Sequence, residues 1–188
     1  MGKHPFIIGL VAAAAGCAAA QGLWALSGEH HAWAALLFAL FPKPVLVETA
    51  RLVALYALFG AVGAGRGGIR FAFGFALVMG AAIAAERLQA GGAGLFLPLS
   101  VLAGFALHVF LSLTGVAIKA MNAPPMVIFC VLAIAHGAHN GGMIAAEREL
   151  TPLSAMEIYG AATLVYGALA FWLARGRIRK MARAQAQR

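Results

Sequence analysis

Charged side chains are scarce in this 188-residue sequence, and acidic ones are the scarcest. The chain has 6 acidic and 14 basic residues, so charged residues make up 11% of it against 63% hydrophobic residues. A soluble domain is about half apolar and a quarter charged. One soluble core cannot bury this much apolar surface, so the bilayer must act as solvent for much of the chain. We therefore expect a single all-α transmembrane domain over residues 1–188, with about six spans of ~20 residues.

Cysteine is equally rare, and its placement excludes a disulfide framework. Cys17 and Cys130 lie singly in apolar segments, without a Cys-x-x-Cys pair, as small packing residues do. The glycine-rich segments contain no Gly-Lys-Ser/Thr sequence, so a P-loop nucleotide site is not expected.

The net charge of +8 is concentrated at the C-terminus, where six of the fourteen basic residues fall in the last 14 positions. A basic cluster can bind nucleic acid, but this one follows an apolar span directly, and the positive-inside rule explains it better. We expect no nucleic-acid partner. The basic tail, from about Arg175, is predicted to be cytoplasmic, in a multi-pass protein of the plasma (inner) membrane.

Apolar runs predict six spans, separated by short turns rich in glycine, proline or polar residues. Their approximate bounds are 5–26, 44–62, 71–89, 95–121, 126–146 and 154–174, with turns that include 65–70, 91–92, 122–125 and 147–152. Between the first two spans, Trp33 to Phe41 is an apolar run of about ten residues, too short to span and therefore predicted to be interfacial or re-entrant.

The first apolar segment also has features of a secretory signal. Lys3 precedes it, and Ala18-Ala19-Ala20-Gln21 is similar to a cleavage site. The apolar stretch continues through Trp24 and Leu26, which is longer than a usual signal core. We therefore expect this segment to remain as the first span.

An even number of spans places both termini on one side of the membrane. The predicted cytoplasmic charges are Lys3, Arg66, Arg70, Lys119 and the tail, whereas Lys43, Arg87 and Arg148 lie near the opposite loops. This asymmetry predicts that both termini are cytoplasmic.

Several polar residues fall within the predicted spans, where each charge costs several kcal/mol and needs a reason. They are Glu48, Arg51, Glu86, Arg87, His108, His136, His139 and Asn140. In the predicted orientation the carboxylates and His108, His136 and Asn140 occupy the middle-to-outer half of the bilayer. A polar cavity open to the outer face would collect them, and we expect Glu48, His108 and His136 to share it.

Each of these residues has a structural alternative. Glu48 and Arg51 are three residues apart on one helix face, in the first two turns of their span, and could form an ion pair at the membrane edge. Glu86 could be a span end that reaches the interface. His108 could be a core histidine whose second nitrogen is held by Ser112. The residues His136 and Asn140 could join helices through hydrogen bonds.

The order of these residues resembles that of a protease family. Glu48-Thr49-Ala50-Arg51 resembles the first motif of the PrsW and YhfC group of membrane peptidases, which are distant relatives of the CAAX-processing and bacteriocin-processing membrane proteases. Glu86 resembles the second acidic position, His108 the central histidine, and His136-Gly137-Ala138-His139-Asn140 the closing His-x-x-x-Asn motif. The match covers roughly residues 40–145. Val47 stands where the family usually has a first glutamate.

The resemblance implies an intramembrane peptidase that hydrolyses a membrane-associated peptide. In that interpretation Glu48, aimed by Arg51, activates a water, while His108 and His136 bind a metal or stabilise the oxyanion. Glu86 and Asn140 complete the polar site. Two histidines and a carboxylate suit zinc with an open position.

Two other functions are compatible with the same residues. The chain could be a catalytically silent scaffold that docks on a membrane partner complex, since its 23 glycines allow close helix packing. It could also bind haem, with His108 and His136 as axial ligands from two helices.

Overall fold

The computed structural model describes residues 4–27, 32–57, 65–89 and 96–177, and within these ranges the chain is helical without strands. The helices are α1 (Pro5–Ser27), α2 (Ala32–Leu40), α3 (Pro42–Ala57), α4 (Arg66–Gln89), α5 (Phe96–Ala120), α6 (Pro125–Glu149) and α7 (Pro152–Trp172), which Leu173–Arg177 extends as a π-helical turn. The predicted all-α fold is confirmed.

Five of these helices are long and apolar enough to cross a membrane. Each of α1, α4, α5, α6 and α7 contains an 18-residue window with a mean hydropathy between 1.3 and 2.1. The protein is therefore a multi-pass membrane protein. In α5, 67% of that window is buried inside the protein, against 17 to 44% in the other four. Helix α5 is thus the centre of the bundle.

The two shorter helices, α2 and α3, are not among these five. Helix α2 has 9 residues and α3 has 16, and they follow one another through the single residue Phe41. At 1.5 Å per residue α2 is ~14 Å long, too short to span alone. The predicted second span included residues 58–62, which lie outside the described residues.

Two predicted turns are wrong. The segment 65–70 is helical from Arg66 onward, and α6 continues through much of the predicted loop 147–152, to Glu149. Neither segment has an internal proline before these points to stop a helix. In this extension of α6, the Glu147 carboxylate accepts a hydrogen bond from Arg87 of α4.

Glycines set the approach of α1 to its neighbours. A Cβ atom on Gly9 would lie 2.3 Å from the Phe71 carbonyl oxygen of α4, and one on Gly74 would lie 2.2 Å from the Phe6 carbonyl oxygen. Gly16 meets α3 in the same way, with a Cβ position 3.0 Å from Val47 Cα. Small residues let membrane helices approach this closely, and the approach supplies the packing that lipid cannot.

Candidate intramembrane site

Three of the predicted site residues meet inside the bundle. One ligand atom each from Glu48, His108 and His136 lies within 4.8 Å of the others, and all three side chains are buried. His108 is the thirteenth of the 25 residues of α5, and His136 is the twelfth of the 25 residues of α6. The cluster therefore lies at the middle of both helices.

The predicted depth of Glu48 needs correction. We expected it near the outer end of its span, within two turns of Pro44. Helix α2 precedes α3, so Glu48 lies sixteen residues after Ala32, in contact with His136. A buried ion pair at the centre has no interfacial water to solvate it, so its partners must come from the protein.

The Glu48 carboxylate bridges two side chains. Its Oε1 lies 2.8 Å from His136 Nδ1, and its Oε2 accepts a hydrogen bond from Arg51 on the next turn of α3. Glu48 and Arg51 are both fully buried. The spacing of three residues places them on one helix face, as the sequence predicted.

Arg51 also fixes the state of His108. Its Nη2 lies 2.8 Å from His108 Nδ1, and its guanidinium lies 4.2 Å from the centre of the Phe75 ring. Arginine can only donate, so His108 Nδ1 accepts, and the proton of the neutral ring is on Nε2. The predicted contact with Ser112 is wrong, because Ser112 Oγ has no hydrogen-bond partner in the described part of the chain.

His136 takes the opposite tautomer. The carboxylate of Glu48 can only accept, so His136 Nδ1 carries the proton and Nε2 keeps its lone pair. The two imidazole rings are 4.7 Å apart between centroids and nearly perpendicular, at 84°. Two neighbouring rings therefore present one N–H donor, on His108, and one basic nitrogen, on His136.

Both histidines line a small cavity of about 30 Å³, together with Leu107 of α5 and Met79 of α4. A cavity of this size has room for one or two water molecules, and the polar groups on its wall can hold them. The arrangement can polarise a water molecule in a low-dielectric environment.

A larger cleft of about 430 Å³ adjoins this cavity. The two share five lining residues, namely Lys43, Ile83, Gly104, His139 and Asn140. The cleft is bordered by Ala35 near the start of α2, Glu86 near the end of α4 and Glu147 near the end of α6. Because all three residues line this one cleft, these helix ends belong to one side of the bundle, and the cleft opens there.

Glu86 was expected in the site but lies on the cleft wall. Its carboxylate accepts two hydrogen bonds from Lys43 Nζ, at 2.6 and 2.7 Å, and one from Gln21 Nε2 at 3.2 Å. The Glu86 side chain is 36% exposed. The structure therefore places Glu86 outside the Glu48–His108–His136 cluster, on the route towards it.

Asn140 also lines the small cavity, but its amide is engaged elsewhere. The Nδ2 atom donates to the Ala39 carbonyl oxygen of α2 at 3.0 Å. Asn140 therefore binds the backbone of α2 one residue before that helix ends at Leu40.

Four polar contacts around the cleft are not predicted by the sequence. Arg87 donates to both oxygens of Glu147 and to the Tyr159 hydroxyl at 2.7 Å, and Tyr159 donates to Glu147. His139 Nδ1 lies 3.1 Å from the Tyr166 hydroxyl. Lys43 and Glu147 were treated as loop charges. Both residues lie one helix turn or less from the end of a predicted span. This position is the sequence signal for such contacts, because the side chain of a residue there can turn inward to a partner.

The cluster has the donor types of a metal site, but its chemistry fits a metal poorly. Arg51 already donates to Glu48 and to His108 Nδ1, and the other nitrogen of His108 carries the proton. A cation would have to displace a guanidinium that lies between two of its three ligands. The described residues therefore fit a site without zinc.

Haem fits less well still. The small cavity holds only one or two waters, and the 4.7 Å separation of the rings leaves no room for a macrocycle between them. We therefore expect no haem between these histidines.

No protein-family model, no curated protein and no solved structure matches this chain. The geometry of the cluster and of the cleft beside it is therefore what indicates a function.

Proposed function

We propose that the protein is an intramembrane peptidase-like hydrolase that works without a metal and uses His136 as its general base. The observation that carries this proposal is that both histidines line one cavity, and their Nδ1 partners assign opposite tautomers to them. His108 offers a proton on Nε2, and His136 offers a lone pair on Nε2, within two rings whose centroids are 4.7 Å apart. Hydrolysis of an amide needs such a donor and such a base beside one water.

The base is His136 rather than Glu48. Both oxygens of Glu48 already accept hydrogen bonds, from His136 and from Arg51. Glu48 instead holds His136 in the Nδ1–H tautomer and stabilises the imidazolium that forms when Nε2 takes a proton. A buried carboxylate has the same role beside the histidine of serine proteases.

The proposed reaction balances within these residues. Nε2 of His136 takes a proton from the cavity water, and the water oxygen attacks the carbonyl carbon of the scissile amide. The N–H of His108 donates to the oxygen that becomes negative. The C–N bond then breaks, and the proton on His136 passes to the leaving amine, which leaves a carboxylic acid and a free amino group.

The substrate in this proposal is a membrane-associated peptide that enters through the large cleft. The cleft wall carries two ion pairs, Lys43–Glu86 and Arg87–Glu147, whose charges cancel. A peptide main chain is polar and uncharged, so it suits a wall of this kind. Gly104 and Ile83 line both the cleft and the small cavity, so in this proposal the substrate reaches the cavity past them as an extended strand.

The replacement of a family glutamate by Val47 is compatible with this chemistry. Val47 is fully buried and packs with Ala13, Phe71 and Phe75 between α1, α3 and α4. A residue at this position faces α1 and does not line the small cavity.

A silent scaffold is the second candidate, and one observation favours it. Arg51, Glu48, His136 and His108 form one chain of hydrogen bonds. Such a network can hold three helices together without any reaction. A membrane partner would then dock on the lipid-facing surface.

The proposed location is the plasma membrane, with both termini in the cytoplasm and the cleft open to the opposite side. The charge asymmetry supports this orientation. Two of the outer charges, Lys43 and Arg87, are paired with glutamates, which further reduces the positive charge on that side.

Hydrolysis can be tested directly with the purified protein in mixed micelles and a library of synthetic peptides. In water enriched in ¹⁸O, each cleavage should place one ¹⁸O atom in the new carboxyl group, as read by mass spectrometry. We expect His136→Ala to abolish this incorporation. A wild-type protein that inserts and folds but cleaves no peptide in the library and no membrane protein in cells would favour the scaffold.

A further inference from the structure

The junction of α2 and α3 is a break in a helix inside the bundle. Pro42 and Pro44 have no backbone N–H, so the carbonyls of Phe38 and Leu40 lose the donors that a continuous helix would supply. On either side the helical bonds persist, with Phe41 N to Leu37 O and Val45 N to Phe41 O both at 3.1 Å. The carbonyl of Ala39 lies between these two in the chain, at the same break.

One face of α6 packs closely against this junction. Asn140 Nδ2 donates to the Ala39 carbonyl oxygen at 3.0 Å. A Cβ atom on Gly137 would lie 2.4 Å from the Leu40 carbonyl oxygen, and one on Gly141 would lie 2.3 Å from Leu40 Cδ2. Gly137, Asn140 and Gly141 share one face of the helix. The junction is therefore held by one hydrogen bond and by close packing against two glycines.

The same contact determines where the cluster forms. His136 is adjacent to Gly137 on α6, and Glu48 follows Pro44 by one turn on α3. The distance of 2.8 Å between Glu48 Oε1 and His136 Nδ1 therefore depends on the register of the junction against α6. A shift of 1 Å there would break this bond, because a hydrogen bond tolerates only a few tenths of an ångström.

We infer that Asn140 is a positioning residue that acts through the α2–α3 junction, and that it sets Glu48 against His136. The catalytic consequence of this inference depends on the proposed hydrolysis, but the geometric consequence does not. The rival role for Asn140 is direct donation to the substrate oxyanion from the wall of the cavity. If Asn140 is a positioning residue, removal of its amide should break the Glu48–His136 hydrogen bond. If Asn140 donates to the oxyanion, that hydrogen bond should stay intact.

The ¹⁵N NMR spectrum of histidine-labelled protein in micelles reports this bond. A protonated Nδ1 on His136 gives a signal that is assigned by its absence in His136→Ala. We expect Asn140→Ala and Asn140→Asp to lose the Nδ1-protonated signal of His136, whereas Ile144→Ala, on the same helix and the same cleft wall, keeps it. If peptide hydrolysis is detected, kcat should fall about 100-fold in both Asn140 variants, as expected for a displaced catalytic group.

A glycine pair tests the junction without removing any polar group. Gly137→Ala should displace the Leu40 carbonyl and lose the same signal, whereas Gly142→Ala adds its methyl group where nothing lies within 4 Å and should keep it. Retention of the His136 signal in Gly137→Ala and in the Asn140 variants would overturn the inference, and loss of turnover with the signal intact would assign Asn140 to the oxyanion. Absence of turnover in the wild type would count against the proposed function alone, since the spectrum still reports the junction.

Discussion

Glu48 Oε1 and His136 Nδ1 lie 2.8 Å apart although 88 residues separate them in the chain. This contact joins α3 to α6 at the centre of the bundle, and Arg51 extends it to His108 on α5. Three helices thus meet in one chain of hydrogen bonds. The proposed chemistry and the stability of the bundle both depend on this chain.

The first prediction separates the roles of Glu48 and His136. We expect His136→Ala to abolish peptide hydrolysis, because it removes the only free basic nitrogen of the proposed mechanism. General-base loss typically lowers the rate by about 10²–10⁴. Glu48→Gln should also lose turnover, since the amide cannot stabilise the imidazolium. The measurement is ¹⁸O incorporation into peptide products.

Fold must be checked in both variants by circular dichroism and by thermal unfolding in the same micelles. If Glu48→Gln keeps expression, topology and function unchanged, the peptidase hypothesis loses its acidic partner and the scaffold is favoured.

The second prediction concerns the stability of the buried ion pair. Arg51→Met should destabilise the protein by about 3–5 kcal/mol, because it leaves the fully buried Glu48 carboxylate without its cation. The double variant Glu48→Gln with Arg51→Met should recover most of this loss, since it removes the buried charge as well. Urea-dependent unfolding in micelles gives the free energies.

Equal stabilities for the single and double variants would contradict the prediction. They would mean that water or another group compensates the Glu48 charge.

Features that depend on neighbouring residues in the chain can be predicted from the sequence. A run of apolar residues is a local signal, so the bounds of α1 and α5 follow closely from the chain. The meeting of Glu48, His108 and His136 was also predictable, because buried polar groups at similar depth can be satisfied only by one another.

Other features depend on partners that are distant in the chain. Pro42 and Pro44 predict a break in the helix. The hydrogen bond from Asn140 to the Ala39 carbonyl is what shows that this break packs inside the bundle. The pairing of Arg87 with Glu147 required α6 to continue past its predicted end. The engagement of Arg51 with His108 could not be read from spacing, and it is this contact that argues against a metal.

The third prediction concerns the packing of α1 on α4. Gly74→Ala would place a methyl group 2.2 Å from the Phe6 carbonyl oxygen, which is backbone and cannot move aside cheaply. We expect a loss of about 1–3 kcal/mol, the usual cost of overpacking. Gly22→Ala in α1, where nothing lies within 4 Å, is the matched control and should be nearly neutral. Thermal unfolding of the three proteins in one detergent is the measurement.

The fourth prediction concerns orientation. Reporter fusions at the Arg66 end of α4 and at the C-terminus should give the same, cytoplasmic, signal, because an even number of crossings separates them. A fusion after Glu149 should give the opposite signal. Opposite signals from the Arg66 end and the C-terminus would exclude the proposed orientation.

The last prediction concerns metal. If Arg51 holds Glu48 and His108 in their present states, the site needs no cation, so treatment with 1,10-phenanthroline and dialysis should leave hydrolysis unchanged. Added zinc should not increase the rate, because a zinc ion would have to displace the guanidinium and deprotonate His108. Arg51→Ala provides the sharpest comparison, since it removes the competing cation and exposes the Glu48, His108 and His136 donors, whose ligand atoms lie within 4.8 Å of one another. We expect this variant to bind zinc more tightly than the wild type, as measured by elemental analysis after equilibrium dialysis. Inhibition of the wild type by the chelator, with recovery on addition of zinc, would refute the metal-free mechanism and return His108 and His136 to the role of ligands.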